Sequence, residues 1–144
     1  MLRNHHGFTI IELCVVLMIA ATLGVVSVPQ FTGLLRAYRL NGATQVVWGD
    51  LHNARMLAIK ENRTIRVEFT ATTYRLVRVD TAEVAFTRNL ALQYPGVTLS
   101  VATNTMTFRS SGLLDHATRP VDVQNAAGTK NVTVLATGRI GNLS

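Results

Sequence analysis

Hydrophobic and polar positions divide the chain into three regimes. From Phe8 to Val28 it is apolar almost without interruption, 21 residues with one charged side chain, Glu12. As a helix rising ~1.5 Å per residue the run extends roughly 31 Å, the thickness of a bilayer's hydrocarbon core. Beyond it Leu40, Ala43, Val47, Leu51, Ala54 and Ala58, with Leu57 adjoining, follow helical spacing and make one apolar stripe. Arg36, Arg39, Asp50, Arg55 and Lys60 take the other face. One long helix is therefore predicted from Phe8 to about Asn62, interrupted at Gly24 and Pro29. Pro29 cannot donate to the Val25 carbonyl and crowds it, so a kink or a local loosening is expected there.

From Arg63 the period drops to two. Ile65, Val67 and Phe69 share one strand face and Arg66 and Glu68 the other. Further strands are predicted at Tyr74–Val79, Val84–Thr87, Val97–Val101, Thr105–Arg109, Val121–Gln124 and Val132–Ala136. Turns fall at Asp80-Thr81, Pro95-Gly96, Asn104, Gly112 and Ala127-Gly128. The fold class is α+β: a long N-terminal membrane-spanning helix whose C-terminal half packs on an antiparallel meander or sandwich. Residues 8–29 form the membrane segment, 30–62 the amphipathic continuation, and 63–144 a β domain that makes one globular unit with 30–62.

Glu12 is the anomaly. An acid inside such a run costs about 2.5–3.5 kcal/mol at the bilayer centre. The nearest neutralising charge arises only if the chain is cut before Phe8, because a free α-amine titrates at about 7.7–8.0. Gly7-Phe8-Thr9-Ile10-Ile11-Glu12, after a short leader containing Arg3, His5 and His6, resembles the N-terminus of type IV pilins and type II secretion pseudopilins. The resemblance implies that residues 1–7 are a leader, cut between Gly7 and Phe8 by a prepilin peptidase, and that Phe8 is N-methylated. It also implies that Glu12 meets the amine of a neighbouring subunit during assembly, and Pro29 falls where these helices usually carry a proline. An ordinary secretory signal would have an apolar core of about 7–15 residues, shorter than this one.

Thr107-Phe108-Arg109-Ser110-Ser111-Gly112, and the later strand ending in Gly138-Arg139-Ile140, narrow the likeness to the pseudopilin H and FimT-like branch. That branch implies a minor subunit of a type II secretion pseudopilus or of a type IV pilus, lodged single-pass in the inner membrane with its domain in the periplasm. Partners would be other pilin subunits, the peptidase and methyltransferase, and exported proteins. An alternative remains open, since some FimT-like members bind DNA for uptake through Gly-Arg-x-Arg. Here Gly141 stands in place of the second arginine. Arg139, with Arg109, Arg119 and Lys130, could still meet phosphates; otherwise Arg139 is a turn arginine, solvated or paired with Asp115 or Asp122.

Composition bounds the rest. The formal charge is +6, and arginine supplies 12 of the 14 basic residues. From Gln30 onward there are 13 basic and seven acidic residues, which attracts polyanions or anionic surfaces without naming one. Cys14 is the only cysteine, so no intrachain disulfide staples the domain. Ser110-Ser111-Gly112 lacks the frame of a hydrolase elbow, and His52 and His116 have no partner at metal spacing. Trp48 is expected where the helix meets the sheet. No catalytic role, metal or cofactor is expected; the chain reads as a substrate of the processing enzymes.

Overall fold

The computed structural model describes residues 8–143 and, among them, every side chain except those at 25–29, 142 and 143. The expected leader and the Gly7 side of the cleavage site lie outside the described residues, as does the Pro29 side chain on which the expected kink depends. Two compact units divide between Leu35 and Arg36.

Helix α1 (Ile10–Glu61) opens in the first unit. Thr9 caps it: its hydroxyl accepts from the Glu12 N–H at 3.3 Å. Side chains from Phe8 to Gly24 are all exposed. Among the described residues no helix is long and apolar enough to cross a membrane. The apolar stretch of α1 before residue 25, Ile10–Gly24, is only about 22 Å long at 1.5 Å per residue. The expected span continues into side chains that are not described.

The second unit is built on the C-terminal part of α1. Leu40, Ala43, Val47, Leu51, Ala54 and Ala58, the stripe read from spacing, are all buried. The helix stops at Asn62, which takes φ +50. The Asn62 N–H bonds to the Ile59 carbonyl at 3.2 Å and the Arg63 N–H to that of Ala58 at 3.1 Å, closing the last turn around a left-handed residue.

Eight strands and a one-turn helix follow: β1 (Ile65–Phe69), β2 (Thr73–Arg78), β3 (Val84–Asn89), α2 (Leu90–Gln93), β4 (Thr98–Val101), β5 (Thr105–Phe108), β6 (Arg119–Asn125), β7 (Gly128–Val134) and β8 (Ile140–Leu143). They form two antiparallel four-stranded sheets, ordered β3-β2-β1-β5 and β4-β6-β7-β8. A single core takes Ile65, Val67, Tyr74, Leu76, Met106 and Phe108 from the first sheet, Leu99, Val121, Val123, Val132 and Val134 from the second, and the α1 stripe. Burying each large side chain contributes about 1.5–3 kcal/mol, and that burial holds the unit together without a disulfide. The domain is α+β, as the change of period predicts.

Two elements differ from the expectation. α2 is a single turn capped by the Asn89 side chain, which accepts from the Ala91 N–H at 3.0 Å; four residues carry too little periodicity to read. β8 contains Gly141 and Asn142, which break the apolar alternation, and it forms by pairing with β7, Ile140 opposite Val134. Asp50 is also corrected. Assigned to the polar face of α1, it is only 8% exposed, because its partners come from β2 and β3.

Candidate functional site

Three groups of residues bear on function, and the first is the start of α1. Phe8 is 84% exposed. The Glu12 side chain is exposed on the same helix, and its carboxylate has no partner among the described residues. Leu13, Val15, Val16, Leu17, Met18 and Ile19 surround it along the chain, all exposed. The acid therefore stands in an apolar surface with nothing among the described residues to neutralise it.

The second group joins the two C-terminal motifs, which the sequence presents 26 residues apart. After β5 the chain turns at Ser110-Ser111-Gly112, with the Gly112 N–H bonded to the Arg109 carbonyl at 2.8 Å and the Arg109 N–H to that of Leu113 at 2.9 Å. Between β7 and β8 a second turn repeats the pattern: the Gly138 N–H bonds to the Leu135 carbonyl at 2.8 Å, and the Leu135 N–H to that of Arg139 at 2.9 Å. Gly112 and Gly138 both have positive φ, +78 and +75. The two turns touch. A Cβ on Gly138 would fall 1.8 Å from the Gly112 carbonyl oxygen. Arg55 of α1 reaches the same point, its Nε donating to the Gly112 carbonyl at 3.2 Å. Two turns farther up α1, Trp48 donates from Nε1 to the Ile140 carbonyl at 3.3 Å and stacks on His52 with centroids 5.7 Å apart. The motif glycines thus lock α1 to the start of the last strand and set Arg139 beside the lock.

The third group is a buried polar link. Tyr74 O–H donates to Asp50 Oδ2 at 2.5 Å. Arg88 grips the same carboxylate with Nε at 2.5 Å and Nη2 at 3.3 Å. Burial, and then the hydrogen bond to Asp50, pushes the Tyr74 hydroxyl well above its ordinary pKa, so it stays a donor. At the end of α1, Glu61 takes two bonds from Arg78, at 2.8 and 2.9 Å. The Arg78 hydrogen bond holds the Glu61 carboxyl below its ordinary value. Sequence reading missed Arg55, Asp50 and Arg88 as partners. Asp50 and Arg55 sit on the helix face that local spacing marks as polar, Arg88 alternates in register with Val84 and Phe86, and each partner is 24 or more residues away.

The four basic residues expected to meet phosphates lie on or beside four different strands. Arg109 pairs with Asp115 through Nε at 2.6 Å. Arg119 lies opposite Val134 and bonds to Thr103. Lys130 lies opposite Val123, four residues away along the same hairpin or roughly 13 Å. Arg139 is exposed and unpaired among the described residues.

No group of three or more His, Cys, Asp or Glu side chains that could hold a metal occurs among the described residues. A depression of about 670 Å³ on the first sheet is lined by Glu68, Thr73, Arg75, Asn104 and Thr105, with no histidine or cysteine.

The sequence model of the family described as type II transport protein GspH matches residues 43–138. This chain belongs to the GspH family. The match runs from the buried stripe of α1 to Gly138 and takes in both contacting glycines. No curated protein matches the chain. Among solved structures the GspH-family chain is similar to the type IV minor pilin FimU of Pseudomonas aeruginosa (strain PAO1). One crystal form has 16% identity and a TM-score of 0.65 over 75% of this chain and 90% of that one. A second form has 15% identity and a TM-score of 0.60 over 72% and 92%. At that identity the likeness establishes the fold alone: the GspH-family chain has the α+β architecture that FimU shows.

Proposed function

We propose that this chain is a minor subunit of a type II secretion pseudopilus or type IV pilus, supporting protein secretion. In this reading it is cut between Gly7 and Phe8 and N-methylated at Phe8. It is anchored single-pass in the inner membrane through residues 8–29, with its domain in the periplasm. The carrying observation is the Glu12 carboxylate, exposed and unpartnered within an apolar helical surface. Among lipid and other helices that charge is costly alone, and pairing with the Phe8 amine of an adjacent subunit offsets the cost. Pro29 gives the helix a point of adjustment during packing. The work is assembly, and the peptidase, the methyltransferase, other pilin subunits and exported proteins are its partners. Replacing Glu12 with Leu tests this: the reading expects processed protein that no longer enters filaments. Undiminished incorporation contradicts it.

A second reading is DNA capture for uptake. It draws on Arg139, exposed at the turn beside Arg55, and on the Trp48–His52 ring stack of the adjoining helix face. A gel-shift titration of the full chain decides it. Binding that weakens with salt and with Arg139→Ala supports capture; no binding, or binding indifferent to both, removes it.

A further inference from the structure

All seven acidic side chains of the second unit are engaged. Asp50, Glu61, Glu68, Asp80, Glu83 and Asp115 are ion-paired, and Asp122 accepts from Asn131 Nδ2 at 2.6 Å. The excess positive charge therefore sits on basic residues that lack an acidic partner, and three of these lie on segments that meet at the end where α1 enters the unit. Arg36 and Arg39 lie on the first turn there. The β6–β7 hairpin is fastened to them, its Asn125 Nδ2 donating to the Arg36 carbonyl at 2.8 Å. Lys130 follows two residues after the hairpin turn. Arg39 Nη1 also reaches the Pro95 carbonyl at 3.5 Å, bringing in the loop after α2.

Among the described residues, the two most exposed large apolar or aromatic side chains of the unit belong to the same elements. Tyr38 is 71% exposed, between the two arginines. Leu92 is 83% exposed, on the turn leading into Tyr94 and Pro95. No carboxylate interrupts 36–41, 92–97 or 124–130.

The sequence supplies the occupant. Leu13 to Leu35 is 23 consecutive uncharged residues, and Arg36 is the first charge after Glu12. About 20 helical residues cross a hydrocarbon core, so a span over 8–29 leaves Arg36 to Arg39 roughly 10–15 Å beyond it, within reach of headgroups through their long side chains and a Debye length of about 8–10 Å. Tyrosine and arginine are the residues that settle there, and an exposed leucine beside them can enter the acyl boundary. We propose that Arg36, Arg39 and Lys130, with Tyr38 and Leu92, form a docking surface for anionic phospholipid headgroups. It holds the domain down on the bilayer before the subunit is drawn into a filament. This rests on the reading that residues 8–29 anchor the chain.

The test uses the full chain in vesicles of phosphatidylcholine alone, or with about one-third phosphatidylglycerol, followed by amide hydrogen exchange. Exchange across 124–130 and 92–97 should slow in the anionic vesicles and recover as salt rises. Each cation near such a surface is worth about fivefold, so Arg36→Gln/Arg39→Gln/Lys130→Gln should weaken docking about 100-fold and abolish the slowing. Unchanged exchange across 65–69 shows the triple variant folded. Lys60→Gln/Arg139→Gln, at other sites, should keep the slowing. Equal slowing in neutral vesicles, slowing that survives the triple variant, or equal loss in the control pair overturns the proposal. Alkaline extraction separates the premise: an extracted chain contradicts anchoring. A chain that resists extraction but is indifferent to anionic lipid contradicts the docking surface alone.

Discussion

Gly138→Ala is the sharpest perturbation of the domain. Two penalties combine. Position 138 holds φ +75, which a side chain tolerates at a cost of about 1–2 kcal/mol. The new Cβ would also stand 1.8 Å from the Gly112 carbonyl oxygen, backbone that cannot swing away alone. One turn must move, and with it goes the hydrogen bond from Arg55 Nε, a charged donor worth about 1.5–3 kcal/mol. The sum is about 2.5–5 kcal/mol, a large part of the 5–15 kcal/mol typical of a domain. Gly96 supplies the control. It has φ +85 but nothing within 4 Å of where a methyl would stand, so Gly96→Ala should cost only the conformational part. Denaturant unfolding of the two variants in detergent, followed by tryptophan fluorescence, reads the difference. Gly138→Ala should be less stable than Gly96→Ala by about 2–3 kcal/mol, or roughly 10–20 °C in Tm. Equal stability would refute the claim that the two glycine turns form one lock.

Other outcomes follow from the same geometry. Asp50→Ala strands Arg88 and the Tyr74 hydroxyl and should cost about 3–5 kcal/mol, whereas Tyr74→Phe keeps the ion pair and should cost less, about 1.5–3 kcal/mol; urea unfolding separates them. Glu61, its pKa depressed by Arg78, stabilises above its unfolded value, and that help is lost as pH falls through its folded one. The gap in Tm between the natural chain and Glu61→Gln should therefore be steady from neutral pH down to the glutamate range and close below it; a gap that widens in acid contradicts the pairing. Trp48→Phe removes the donor to the Ile140 carbonyl, and amide exchange in β8 should quicken while that in β1 stays as it was.

Much of the fold is legible in the sequence because it is local. The stripe from Leu40 to Ala58 and the alternation at Ile65, Val67 and Phe69 depend only on period, and their burial follows. The left-handed stop at Asn62 needs only a residue that tolerates positive φ. What stays hidden depends on pairing across distance. Two sheets arise because β1 pairs with both β2 and β5, and β6 with both β4 and β7, and no run of side chains announces that order. Asp50 looks like a surface acid because Tyr74 and Arg88, which draw it inward, lie 24 and 38 residues away. Gly112 and Gly138 are visible as separate motif positions, but their contact is not. Charge alone does not show that the β6–β7 hairpin, which carries Lys130, is tied through Asn125 to the Arg36 carbonyl.

Assembly, as proposed, turns on an acid at position 12 whose partner is an amine created by cleavage. Mass determination of the N-terminal peptide, from protein purified with its membranes, measures that directly. A chain beginning at Phe8 with one methyl on its amine is the predicted result. A chain that still begins at Met1, with Phe8 internal and unmodified, would contradict it.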